Sequence, residues 1–220
     1  MKKIFFLIIC LLIVTSLFAL DITFGGAIGF VGTFNNGSDW EDGLNEMNGT
    51  NSFLPGFELG AFWDIAINEY FSVQPEINYL LIRFGAKGNR DNSGYYEDLE
   101  YSYSMSMLEI PILAKFNLPI GKGKLSLLIG PSFQILLGNI HDLENIETNM
   151  PYSGGGSDHY IAPDSYVILG GIVAAGCQIP VSNGNLIFEF RYRRQLTTYI
   201  DNSNWKSNVF SLRVGYGFLL

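Results

Sequence analysis

From residue 208 the chain reads NVFSLRVGYGFLL, and Phe210, Leu212, Val214, Tyr216, Phe218 and Leu220 fall on one side of a two-residue period. Ser211, Arg213, Gly215 and Gly217 fall on the other, and only Leu219 is out of phase. Such alternation predicts a strand with one greasy face and one small or polar face. A soluble sheet can produce one such strand, so the question is whether the pattern recurs upstream.

It does. Residues 21–34 set Ile22, Phe24, Ile28, Phe30 and Phe34 against Thr23, Gly25, Ala27, Gly29 and Thr33. Residues 54–67 set Phe57, Leu59, Ala61, Trp63 and Ile65 against Glu58, Gly60, Phe62 and Asp64, and 71–85 set Phe71, Val73, Ile77, Tyr79 and Leu81 against Ser72, Gln74, Glu76 and Asn78. In 99–118 the greasy series Leu108, Ile110, Ile112, Ala114, Phe116 and Leu118 opposes Glu109, Pro111, Lys115 and Asn117. Its upper half, 101–107, reverses the polarity of the faces, through a bulge that shifts the register or because that half stands above a membrane. Residues 125–137 alternate Leu125, Leu127, Ile129, Phe133 and Ile135 with Ser126, Gly130, Ser132 and Gln134. Residues 165–181 are apolar on both phases, which leaves their inside and outside open. The seventh strand opposes Leu186, Phe188, Phe190 and Tyr192 to Glu189, Arg191, Arg193 and Gln195.

The eight predicted strands are joined by connections that alternate in length. Polar loops at 35–53, 86–98 and 139–164 are separated by tight turns at 68–70, 119–124 and 182–185, the last reading SNGN, a hairpin signal. An even strand count with this asymmetry predicts an all-β, eight-stranded antiparallel up-and-down transmembrane β-barrel with long extracellular loops and short periplasmic turns. The strands clear the roughly 9 to 11 residues that cross hydrocarbon at a tilt, and closure leaves no unpaired edge in lipid. Membrane lipid is therefore the expected solvent of the greasy face, and the bacterial outer membrane the expected location.

The amino terminus agrees. Lys2 and Lys3 precede an apolar run from residue 4 to 14, followed by Thr15, Ser16, Leu17, Phe18 and Ala19. This is the layout of a secretory signal peptide, 1–19, with cleavage expected after Ala19 and a single barrel domain over 20–220. Losing Lys2 and Lys3 takes the formal charge from -8 to -10, and Cys177 is the cysteine that stays, Cys10 lying in the apolar run. A chain this acidic lacks the basic face that phosphate neutralisation needs, so no nucleic-acid partner is expected.

The polar faces collect a set of inward charges: Glu58, Asp64, Glu76, Glu109 and Glu189 against Lys115, Arg191, Arg193 and Arg213. An eight-strand barrel is narrow enough for side chains to fill it, so these groups are expected to pair as a structural plug rather than act as a gate or proton relay. The loops carry the surplus acid: Asp39, Glu41, Asp42 and Glu46 in the first, and Asp142, Glu144, Glu147, Asp158 and Asp164 in the third, with His141 and His159. A metal site on the two histidines is conceivable, but their spacing is not that of ligands, and a solvated acidic surface accounts for the segment. No strand presents a histidine beside a serine or aspartate on one face, so no catalytic constellation, cofactor or metal site is assigned.

At 108–116 the segment LEIPILAKF, with Glu109, Pro111 and Lys115, resembles the small outer-membrane barrels grouped as the outer membrane protein beta-barrel domain family, which includes PorT-like proteins. The resemblance implies an outer-membrane barrel. The closing Gly215, Phe218 and Leu220 are similar to the terminal signal read by the barrel-assembly machinery, with Leu220 where an aromatic is usual. The expected function is a non-enzymatic outer-membrane barrel with a filled lumen. Its acidic loops, 35–53 and 139–164, would serve envelope structure, adhesion or binding of an extracellular ligand or partner protein. The alternatives are a small pore or transporter, and a soluble lipocalin-like barrel with its greasy faces inward around a lipid.

Overall fold

The computed structural model describes residues 21–92, 95–138, 140–148, 154–161, 163–198, 204 and 206–219, with side chains outside 90–97 and 141–161. The expected signal peptide and Leu220 lie outside the described residues. Eleven strands and one helix follow in order: β1 (Ile22–Asn36), α1 (Ser38–Glu46), β2 (Thr50–Ser52), β3 (Gly56–Ala66), β4 (Phe71–Asn92), β5 (Tyr95–Ile120), β6 (Gly123–Leu136), β7 (Ile140–Thr148), β8 (Gly154–Ile161), β9 (Val167–Val181), β10 (Gly184–Gln195) and β11 (Lys206–Leu219).

Eight of the strands close a ring. β1 pairs with β3, and the pairing runs on through β4, β5, β6, β9, β10 and β11 until β11 pairs antiparallel with β1. These are the eight expected strands in chain order, and the last strand closes on the first with Phe30 opposite Leu212 and Gly29 opposite Arg213. Two-residue turns at 121–122 and 182–183 join β5 to β6 and β9 to β10. Gly121 takes φ 60° and Ser182 φ 54°, the left-handed geometry that tight hairpins demand.

Side chains sort as the period requires. On β11, Ser211, Arg213, Gly215 and Gly217 are buried while Leu212, Val214 and Phe218 are exposed. The strand of open parity is settled too: on β9, Ile168, Ile172 and Ala174 are buried and Val167, Leu169 and Val173 exposed. Ile172 and Ala174 pack inward on Leu113 and Leu128, an apolar stretch of the lumen wall, which is why that strand is greasy on both phases. With the greasy faces outward, the lipocalin-like alternative fails.

The outward apolar band spans residues 71–81 on β4 and 108–118 on β5, the length that suffices to cross hydrocarbon. Aromatic contacts fringe it at both ends. Phe24 meets Trp63 at 5.3 Å and Phe71 meets Phe116 at 5.3 Å near the short turns. Phe34 meets Phe210 at 6.0 Å, and Phe210 meets Tyr192 at 5.1 Å, near the long loops. Such girdles mark the two membrane interfaces of transmembrane barrels.

Three expectations for the long-loop end are corrected. The 86–98 connection is strand on both sides, with β4 and β5 paired from Phe71–Phe116 up to Asn92–Tyr95. The 35–53 loop contains α1 and β2, and the 139–164 loop contains β7 and β8, with β7 paired on the upper part of β5. His141 and His159 therefore sit on paired strands, opposite Tyr160 and Asp142, rather than in flexible chain. The polarity reversal at 101–107 is no bulge, because β4–β5 pairing keeps one register from end to end. Above the band the strands turn apolar-in and polar-out: Leu80, Ile82, Phe84, Met105 and Met107 pack inside with Val31, Leu136, Ile140, Ile168 and Val209, while Lys87 and Glu100 pair outside at 2.8 Å. In water the hydrophobic effect again puts the apolar face inward.

Candidate functional site: a charge network across the lumen

All nine residues singled out as inward charges line the lumen, on five of the eight ring strands. Glu58 and Asp64 come from β3, Glu76 from β4, Glu109 and Lys115 from β5, Glu189, Arg191 and Arg193 from β10, and Arg213 from β11. Except for Asp64, whose side chain is 14% exposed, each is buried. The period of two places them: Glu189, Arg191 and Arg193 are alternate residues of β10, so three charges stack along one line of the inner wall.

The contacts join into one chain. At the short-turn end Lys115 donates to Asp64 at 2.6 Å and to the Gln74 amide oxygen at 2.9 Å. Gln74 passes on through its amide nitrogen to Glu76 at 2.6 Å, and Asn78 donates to the other Glu76 oxygen at 2.9 Å. Arg191 grips Glu76 with two nitrogens, at 2.7 and 2.5 Å, and its Nε bonds Glu189. Arg213 reaches Glu76 at 3.0 Å, Glu58 at 3.1 Å and Glu189 at 3.6 Å. Arg193 bonds Glu58, donates to Glu109 at 2.9 Å and to Ser211 at 2.7 Å, and Gln134 closes the chain on Glu109 at 3.0 Å. Three guanidiniums, with five N–H donors each, can serve four carboxylates in this way.

Glycine on the neighbouring strand β1 makes the room. A Cβ on Gly29 would lie 3.0 Å from Glu58 Oε1, 3.0 Å from Arg213 Cγ and 2.6 Å from the Leu212 carbonyl oxygen. One on Gly25 would collide with the Phe62 ring at 2.2 Å. The nearly bare inner faces of β1 and β11 are thus the space into which side chains of β3 and β10 reach.

Little volume remains. The void bounded by Gln74, Glu189, Arg191 and Arg213 measures about 10 Å³, about one water's minimum. Above it the apolar cluster around Leu80 and Met107 caps the lumen. Below it, a vestibule of about 390 Å³ opens at the short-turn end beside Asp64, Asn117 and Gln178. The two-residue period puts Gln74, Asn78 and Gln134 on inner faces without giving them a part. Gln74 is a neutral link between Lys115 and Glu76, while Asn78 and Gln134 each donate to one carboxylate, Glu76 and Glu109; their parity with those acids is the signal that identifies them. The cap is not marked by that period, since apolar residues at inward positions read as exceptions to the rule. Of the three terminal-signal residues, Gly215 is buried on the lumen side and Phe218 is exposed on the outer face.

A closed eight-strand ring, an outward apolar band between aromatic girdles and a polar interior define a transmembrane barrel of the outer-membrane type. The model of the outer membrane protein beta-barrel domain family matches residues 18–201, and the chain belongs to that family. It is a bacterial outer-membrane protein. No curated protein matches the chain. Among solved structures, Ail of Yersinia pestis, in complex with the heparin analogue sucrose octasulfate, is similar at 13% identity, covering 90% of this chain and 99% of its own, with a TM-score of 0.41. Neisserial surface protein A is similar at 16% identity, covering 87% and 95%, with a TM-score of 0.43. OprG of Pseudomonas aeruginosa is similar at 12% identity, covering 91% and 96%, with a TM-score of 0.48.

Proposed function

We propose that this protein is a non-enzymatic, non-conducting outer-membrane barrel in which the nine lumen charges form a structural plug, and that its acidic loops serve envelope structure or binding of an extracellular partner. The observation that carries the reading is the continuous chain of contacts from Asp64 to Gln134, which leaves a void of about 10 Å³ beside Arg191 and Arg213. Ions need a wet path, and a path of this kind is a feature of much larger barrels. The cap of Leu80, Phe84 and Met107 stands in series with the plug. Two barriers of different chemistry make a pore the weaker reading.

The loop half of the proposal rests on charge. All four acids of 38–46, Asp39, Glu41, Asp42 and Glu46, stand on α1 with no base in its last turn, a surface suited to cationic rather than anionic partners. The terminal Gly215, Phe218 and Leu220 belong to the same proposal as the signal handed to the barrel-assembly machinery. Limited proteolysis of intact cells tests the orientation: cleavage within 139–164 without cell lysis is expected, and cleavage only after lysis would overturn it.

A further inference from the structure

We infer that the long-loop end carries a binding site for a small organic cation of the quaternary-ammonium class, in a pocket between α1 and the upper parts of β4 and β5. The pocket measures about 230 Å³ and is lined by Asp39, Trp40, Leu44 and Met47 from the α1 segment and by Tyr101 and Tyr103 from β5. Its position follows from the register. Tyr101 and Tyr103 share the inward phase of β5 with Met105 and Met107, so they stand on the lumen side of the extension, just above the apolar cap.

The walls are held in place. The Trp40 indole nitrogen donates to Asn51 of β2 at 2.7 Å, and its ring meets Phe84 at 5.7 Å and Tyr103 at 5.9 Å, both edge-on. Phe84 in turn stacks on Tyr103 at 5.1 Å. The end of α1 is pinned by the Asn89 amide, which donates to the Met47 carbonyl at 2.8 Å. Asp39 accepts the Asn204 backbone N–H at 3.0 Å. These contacts join the pocket walls to one another across α1, β2, β4 and β5.

The chemistry selects the ligand. Rings of Trp and Tyr present negative quadrupole faces that attract a diffuse, weakly hydrated cation, and Leu44 and Met47 match its methyl groups. Asp39 is the charged residue of the lining, and Glu41, Asp42 and Glu46 lie on the same helix, so the local field draws cations in. An anion would meet Asp39 in the lining and the field of three further carboxylates on the same helix. A neutral apolar ligand would gain from the walls but nothing from Asp39. The site deepens the ligand-binding half of the proposed function and is independent of the plug.

The test uses the purified full-length protein in lipid nanodiscs, with choline as probe and its neutral isostere 3,3-dimethylbutan-1-ol as the control, both titrated by calorimetry. Saturable choline binding is expected, at least about tenfold tighter than the isostere. Trp40→Ala should abolish it, Asp39→Asn should weaken it about tenfold with reduced salt dependence, and Tyr103→Phe, which keeps the ring, should retain it. Retained heat-modifiable migration certifies that each variant is folded. Equal binding of the two probes, no saturable binding, or choline binding unchanged in folded Asp39→Asn would overturn the inference. Channel activity of the same preparation in planar bilayers would strike at the plug alone, and loss of choline binding in a silent barrel would strike at this site alone.

Discussion

Arg191 on β10 and Glu76 on β4 face each other across the full width of the lumen, four strands apart in a ring of eight, and are joined by two hydrogen bonds of 2.7 and 2.5 Å. Neither residue can be removed without leaving the other charge buried and short of partners. Glu76→Gln or Arg191→Met should each cost about 3–5 kcal/mol. The double variant Glu76→Gln, Arg191→Met should cost less than the sum, with a coupling of about 0.5–3 kcal/mol. Reversible denaturant unfolding of the barrel in lipid vesicles measures all three.

The glycine wall gives a paired contrast on one strand. Gly29 faces the network with the Leu212 carbonyl 2.6 Å from its missing Cβ, whereas Gly26 has nothing closer than 3.6 Å. Gly29→Val should destabilise by about 1–3 kcal/mol through overpacking, and Gly26→Ala should stay within about 0.5 kcal/mol of the parent. Equal effects at the two positions, read in the same unfolding assay, would contradict the space-filling account of β1.

The lipid band predicts a depth profile. Ile129 is exposed on the outer face, opposite Ala114 of β5 at mid-band, and Ile129→Arg should cost about 2–4 kcal/mol. Ser104 lies on β5 above the band, paired with Arg83, and Ser104→Arg should cost no more than about 1 kcal/mol. A flat profile between the two sites would place the membrane elsewhere on the barrel.

The cap predicts stability without conductance. Met107 is fully buried among Leu80, Ile82 and Leu136, so Met107→Ala should lower stability by about 2–5 kcal/mol. Because the charge chain below remains intact, this variant should still pass no current, which single-channel recording checks.

How much of this was legible beforehand follows from where lipid is the solvent. Inside the band, a period of two sets each inward charge against outward apolar neighbours, so Glu58, Glu76 and Arg213 are named by parity, whereas the inward apolar Leu113, Ile172 and Ala174 are not. Outside it, the rule changes sign, and Tyr103 or Met105 read as violations until the unbroken β4–β5 register shows them pointing inward. The short α1, SDWEDGLNE, carries only Trp40 and Leu44 as large apolar residues, too few to establish a helical period; its position comes from tertiary contacts such as Trp40 with Asn51. β7 and β8, with IHDLENIET and GGGSDHYI, show no clear alternation; β7 pairs on the upper part of β5 and β8 pairs on β7.

The central claim is that the lumen is closed by its charges, and planar-bilayer recording on the purified wild-type protein tests it most directly. The network of Glu58, Asp64, Glu76, Glu109, Lys115, Glu189, Arg191, Arg193 and Arg213 predicts a silent membrane, without discrete conductance steps across the range of applied voltage. Reproducible steps from a single-species preparation would contradict the plug and make the same charges the lining of a pore.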